Sequence, residues 1–376
     1  MSRDIWKKLL VRASIFILLN GCVERIYFDL PEDQLQIVVE GMISDNPGPY
    51  SVKVSKGFSL EADTSSVTPM SGLSITLSDD VGNKEAFVEQ GPGIYLTGGV
   101  MRGQIGRSYH IIIATASGKI FESIPDPLNE TGEIDSIRHE FEARTVVKPY
   151  GESKADVFNV FIDATSIRNR ENYTRWKFTG TYKAITRPEL NLTTIQGYAP
   201  FRDPYPCSGY VITLGPEGSG GVLEKRGDCT CCSCWPKDFE VAPQISDAQL
   251  VVDNKYNNIK VGEIKINSAT FNEKYLIEVE QMSLSRKAFD FFKLVRDQKL
   301  NASSLFQPPL SEIIGNIKSV NTNDLAVGIF WATSIKKKSK FLYPADVPYP
   351  LTPIEFNTKP CYTTYKNSTT IKPINW

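Results

Sequence analysis

The sequence predicts an all-β protein: an N-terminal immunoglobulin-like β-sandwich, then a larger disulfide-stapled β-domain carrying one amphipathic helix. Three observations predict it. Short runs rich in Val, Ile, Thr, Tyr and Phe alternate apolar with polar residues along most of the 376 positions. Turn residues, with 26 Gly and 23 Pro among them, break these runs at short intervals. Only one stretch, near 283–298, carries the period of a helix.

Residues 1–21 read as an export signal. Arg3, Lys7 and Lys8 precede the apolar run Ala13-Ser14-Ile15-Phe16-Ile17-Leu18-Leu19. That run is far short of the roughly 20 residues of a membrane span, and fits a secretory apolar region of about 7–15. Leu19-Asn20-Gly21-Cys22 follows, with Leu at −3, a small residue at −1 and Cys at +1. This is the order of a lipoprotein processing site, so Cys22 is the expected lipidation residue. Acylation there would anchor the chain in a membrane leaflet, since two or more acyl chains hold a membrane stably where one does not. Residues 22–34 are polar and read as a tether. Removing Arg3, Lys7, Lys8, Arg12 and Asp4 leaves 38 basic against 42 acidic residues, which gives no electrostatic case for nucleic acid.

The sandwich is expected over residues 35–124. Gln36 to Glu40 reads as a strand closed by Gly41. Tyr50 to Ser55 and Leu73 to Leu77 alternate with period 2. Asp79 to Asn83 reads as a hairpin turn, with calcium as the alternative. Glu85 to Val88, Ile94 to Leu96, Tyr109 to Ile113 and Lys119 to Glu122 complete about seven strands, the usual number for such a fold. Pro125-Asp126-Pro127 reads as a linker.

The second domain is expected over residues 130–340. Its strands read as Ile134 to Ile137, Val157 to Ile162, Tyr173 to Ile185, Tyr210 to Leu214, Ile259 to Ile266 and Tyr275 to Val279. The helix shows an apolar stripe of Leu284, Ala288, Phe291, Phe292 and Val295, with Ser283 or Ser285 as its cap. Leu325 to Ala332 is an apolar run that reads as a central strand. Residues 341–376 read as an extended tail packed on the second domain and pinned by Cys361.

Seven cysteines bear on chemistry. Beyond Cys22, the six at Cys207, Cys229, Cys231, Cys232, Cys234 and Cys361 read as up to three disulfides of an exported protein, with pairing open. Four thiolates raise the alternative of zinc, but four cysteines within six positions lack the separated pairs of such a site. A redox role for Cys231 to Cys234 would want a thioredoxin-like α/β context. Tyr198, Phe201, Tyr205 and Trp235 flank the irregular loops, where they would either stack on a glycan or peptide ligand or fill the core beneath the disulfides. His110 and His139 are the only histidines and neither sits in a catalytic motif, Gly215 to Gly221 lacks the Lys-Ser/Thr of a phosphate loop, and Lys336, Lys337, Lys338 and Lys340 read as a solvated strand end or a face for acidic headgroups or a partner. No enzyme activity, cofactor or metal is therefore expected.

The order of motifs carries a resemblance. Val38-Val39-Glu40-Gly41 runs into Asp45-Asn46-Pro47-Gly48-Pro49-Tyr50. Cys231-Cys232-Ser233-Cys234-Trp235 follows, then Phe289 and Phe291-Phe292, then Leu305-Phe306-Gln307-Pro308-Pro309 leading to Gly315-Asn316-Ile317. With the lipidation site, this resembles the domain-of-unknown-function 4249 lipoproteins of Bacteroidetes, over roughly Val38 to Thr333. The resemblance implies an outer-membrane lipoprotein working beside a TonB-dependent receptor of the SusC type, as an accessory in substrate capture or import. It carries over no catalytic or ligand residue. Glu24, after Cys22, is weakly similar to the acidic signal for display at the cell surface, the periplasmic face being the alternative. Two further readings stand beside this one: a stand-alone surface glycan- or peptide-binding lipoprotein, and an envelope structural or assembly factor.

Overall fold

The computed structural model describes residues 36–57, 68–149, 151–167, 173–196, 199–213, 221–246, 251–301 and 315–376. The signal, Cys22, the tether, Tyr198, most of the Gly215 to Gly221 loop and Leu305 to Pro309 lie outside them. Strands dominate, and the all-β class expected from the alternation is what forms.

The first module is one continuous path of strands that folds over its own core. Its order is Ile317–Ser319, Ile120–Ser123, Ser108–Ala114, Ser74–Asp79, Lys84–Gly91, Ile94–Thr97, Ser51–Lys56, Gln36–Ser44 and Leu325–Thr333. The period-2 residues read from the sequence meet inside: Val52 and Val54, Ile75 and Leu77, Ile111 and Ile113, with Phe121. Gly41 does not end its strand, contrary to the sequence reading, and pairing continues to Ser44. A Cβ at Gly41 would lie 2.7 Å from Val52 Cγ2, so the glycine serves close packing rather than a turn.

The strand Leu325–Thr333 corrects two expectations. It pairs in parallel with Gln36–Ser44 over nine residues, from Gln36 opposite Leu325 to Ser44 opposite Thr333. Ile317–Ser319 likewise pairs with Ile120–Ser123. Residues 317–333 therefore complete the first sheet, and the boundaries 35–124 and 130–340 do not separate the modules. The strand also lies at the end of the sheet path rather than in its centre. Its continuous apolar run is explained by burial on both faces: Phe330 and Ala332 enter the first core, Ile329 and Trp331 a second cluster beneath the helix.

The second module packs two sheets face to face. One has the order Ala184–Ile185, Ser233–Phe239, Tyr173–Tyr182, Tyr275–Leu284, Ile335–Leu342. The other has Ile134–Glu142, Val157–Thr165 and Lys255–Lys265. Phe158, Val160 and Ile162 meet Trp176, Phe178 and Ile277 between them. Trp176 Nε1 donates to Gln281 Oε1 at 2.7 Å, and Gln281 Nε2 donates to the Thr165 carbonyl at 3.0 Å, so the buried indole is satisfied across the core.

The helix is Arg286–Asn301. Ser285 caps it: its Oγ accepts from the Ala288 N–H at 3.1 Å. Its buried stripe is Ala288, Phe289 and Phe292; Leu284 belongs to the preceding strand and Phe291 is only half-buried, which corrects the expected phase. The Arg175 guanidinium lies 4.5 Å from the Phe292 ring centroid and pairs with Glu240 at 3.0 Å, fastening helix to sheet. Past Leu342 the tail packs Val347, Tyr349 and Leu351 on the second core, and it includes a helical turn, Cys361–Thr364.

Candidate functional site

The disulfides pair Cys207 with Cys231, Cys229 with Cys232, and Cys234 with Cys361. Local structure brings them together. A turn at Pro206–Ser208 ends on Gly209, whose φ of 74° only glycine adopts freely. The hairpin Tyr210–Thr213 with Val222–Lys225 then returns the chain toward Cys207, where the Thr230 N–H donates to the Cys207 carbonyl at 2.9 Å. From Ser233 the chain becomes a strand, with Cys234 opposite Ala184. The Cys361 N–H reaches the Cys231 carbonyl at 2.9 Å, so the tail docks by backbone as well as by sulfur. Cys231, Cys234 and Cys361 are buried; Cys207, Cys229 and Cys232 are half-buried.

The aromatic residues proposed as ligand-facing do not converge. Trp235 is 9% exposed, buried on the face of its strand opposite the core-facing Cys234 and paired in register with Thr369 of the tail, so its assignment to a ligand surface is corrected. Tyr205 is half-buried beside the Pro206–Ser208 turn. Phe201 is 45% exposed on the small hairpin of Leu192–Thr193 and Phe201–Arg202, near in sequence to exposed Leu192 and Ile195. Tyr198 lies outside the described residues.

Asp79 Oδ1 accepts from the N–H groups of Val81 and Asn83 at 3.1 and 2.8 Å, and Oδ2 pairs with Arg107 at 2.7 Å, an Asx-type hairpin turn. Among the described residues no group of three or more His, Cys, Asp and Glu is placed to hold a metal ion. His110 lies opposite Ser78 in register and 3.6 Å from Glu122, but the Ser78 hydroxyl is buried and has no hydrogen-bond partner among the described residues, so no activated nucleophile results. His139 stacks edge-on against Phe158, and burial with the Lys340 charge lowers its pKa. The lysine run is engaged: Lys336 pairs with Glu133 at 2.8 Å, Lys337 with Glu280, and Lys338 and Lys340 donate to the carbonyls of Asp135 and Ile137 at 2.8 and 3.2 Å. It ties the two sheets of the second module rather than forming a free basic face.

A polar junction between the modules was missed by sequence reasoning. Asp45 accepts from Ser334 Oγ at 2.6 Å and from the Ile335 N–H at 2.9 Å. Ser283 Oγ donates to the Asn129 carbonyl at 2.6 Å and accepts from the Ser334 N–H at 2.8 Å. Asp126, read as part of a linker, is 2% exposed. It accepts from Ser285 Oγ and from the Ala332 N–H, the latter at 3.0 Å. Burial pushes its carboxyl up to about 6 against the opposing pull of those two hydrogen bonds and the Lys287 charge. The only local signal was an acid between two prolines.

Fold and site together define a class: a predominantly β, two-module body stapled by three disulfides, with no helix among the described residues long and apolar enough to cross a membrane. The family model of the domain of unknown function DUF4249 matches residues 23–339, and the chain belongs to that family. No curated protein matches it.

Proposed function

We propose that this chain is a lipid-anchored outer-membrane protein that docks on a TonB-dependent β-barrel transporter of the SusC type and helps capture or import its substrate. The observation that carries the anchored half is the state of the cysteines. Six of seven pair with one another, as in an oxidising compartment, and Cys22 is the one left over, directly behind an export signal. The partner half rests on the motif order shared with the family. The proposal assigns the chain no catalytic step and no cofactor.

The test is affinity purification of the native protein from membranes in mild detergent, with mass spectrometry of what accompanies it. A stoichiometric β-barrel receptor is expected, with an interface above about 1,000 Å². A lipidated form that runs as a monomer with no barrel protein overturns the reading. Cys22→Ser should release the protein from the membrane fraction. A stand-alone surface glycan- or peptide-binding lipoprotein is the second reading, favoured by the exposure of Phe201; binding to a polysaccharide panel lost in Phe201→Ala with the fold intact would select it.

A further inference from the structure

Residues 367–376 form a strap across the second module, fixed at both ends. At one end Ser368–Thr369 pairs with Trp235 and Pro236, and the Lys237 N–H donates to the Asn367 carbonyl at 3.1 Å. At the other the Trp376 ring meets Phe341 edge-on at 6.2 Å. The Lys274 ammonium lies 4.2 Å from the Phe341 centroid and 5.0 Å from that of Trp376, a cation–π latch. Between these ends the strap stands off the sheet and borders an open cleft of about 600 Å³. That is within the usual range of a ligand site, about 300–1,000 Å³. Its floor is Thr181 and Leu276, which alternate with the core-facing Tyr182, Tyr275 and Ile277 and so lie on the opposite face of the sheet.

Three features of this cleft are unspent. Ile371 and Ile374 line it and are 77% and 102% exposed. Lys237, Lys372 and Glu278 also line it, and none has an ion-pair partner among the described residues. The strap backbone from Thr370 to Asn375 makes no hydrogen bond to the sheet among the described residues. Aliphatic side chains, strap backbone groups not bonded to the sheet (the Ile371 N–H and the Pro373 carbonyl are taken within the strap), and two ammoniums against one carboxylate match one ligand chemistry. Among the described residues no aromatic side chain lines the cleft, so its described lining offers no platform for stacking a sugar ring.

We propose that the cleft beneath the strap binds an extended peptide bearing aliphatic side chains and carboxylates. The peptide lies between strap and sheet, its backbone bonding the strap, its side chains on Ile371 and Ile374, its carboxylates on Lys237 and Lys372. This site is separate from the Phe201 hairpin and does not depend on a transporter partner.

The test uses the full-length protein in mild detergent and fluorescence anisotropy of a labelled heptapeptide alternating aspartate and isoleucine. Saturable binding is expected, weakened roughly tenfold by Lys237→Glu with Lys372→Glu and by Ile371→Ser with Ile374→Ser. The charge-reversed variant should instead prefer the same peptide with lysine in place of aspartate. All four substituted side chains are exposed, and an unchanged thermal transition verifies the fold. Phe201→Ser should leave binding unchanged. No binding up to about 1 mM peptide, equal affinity in every variant, or displacement by maltohexaose overturns the proposal.

Discussion

At the scale of single residues, Asp126 joins parts of the chain that no local reading connects. Its hydrogen-bond partners, Ser285 and Ala332, are 159 and 206 positions away. Its neighbours Pro125 and Pro127 announced a linker, and that was all the sequence offered. The Ser285 cap, by contrast, was legible because it needs only the three residues that follow it. Burial raises the Asp126 carboxyl to about 6, above the unfolded value of 3.8. The folded state therefore holds the proton more tightly. The associated stability is fully present below the unfolded value and is lost as pH rises through about 6, amounting to about 3 kcal/mol. His139 acts oppositely, since its lowered folded pKa removes stability as pH falls through its unfolded value. Asp163 and Glu142, held near 2 by hydrogen bonds led by those from Arg138 and Arg144, lose their contribution only at more acidic pH. The measurement is thus a difference: urea unfolding of native protein and Asp126→Asn at pH 4.5 and 7.5. The variant should gain relative to the native protein at pH 7.5 and lose that advantage at pH 4.5. An unchanged difference between the two pH values would remove the junction as the source.

At the scale of elements, composition and period were legible and pairings were not. That the six cysteines cross-link followed from their number and an exported chain; which ones pair depends on the hairpin of residues 210–225 and on a tail that returns 127 positions after Cys234. Trp235 went astray for the same reason. In an irregular-looking loop it read as ligand-facing, but the strand Ser233–Phe239 buries it opposite Thr369 of the tail. The helix stripe shifted because Leu284 still belongs to a strand, which moved the buried phase to Phe289. Loop-closure entropy ranks the bridges. For separations of 127, 24 and 3 it gives about 5, 3.5 and 2 kcal/mol. Cys234→Ala with Cys361→Ala should therefore lower the urea midpoint most and open residues 343–376 to limited proteolysis. Cys229→Ala with Cys232→Ala should lower it least and leave the tail protected. The reverse order would show that the tail is held by packing of Val347, Tyr349 and Leu351 rather than by its bridge.

At the scale of the whole molecule, two modules were legible and their interdependence was not. A strand of nine residues can find a partner anywhere in the chain, and periodicity does not say where. The apolar run Leu325–Thr333 pairs with Gln36–Ser44, some 290 positions earlier, and Gly328 permits it: at φ 108° a Cβ there would collide with the Val39 carbonyl. The outer edge of that strand is closed by side chains, the Asn316 amide on both backbone groups of Phe330 and Asp126 on the Ala332 N–H. The chain thus leaves the first module at Pro127, builds most of the second, returns to finish the first, and crosses again at Ser334. Neither module should fold without the other. Residues 35–124 expressed alone would leave the Val38-Val39 edge of Gln36–Ser44 unpaired, an invitation to edge-to-edge association. They should elute as soluble aggregates, and a peptide spanning residues 315–333 should return them toward a monomer with strand-type circular dichroism. The intact chain should unfold in urea with coincident fluorescence and circular-dichroism transitions. Two separated transitions would mean that the returning strand decorates an already stable sandwich. A single one makes the crossing at Asp45, Asp126 and Ser334 the point where the stability of both modules is decided.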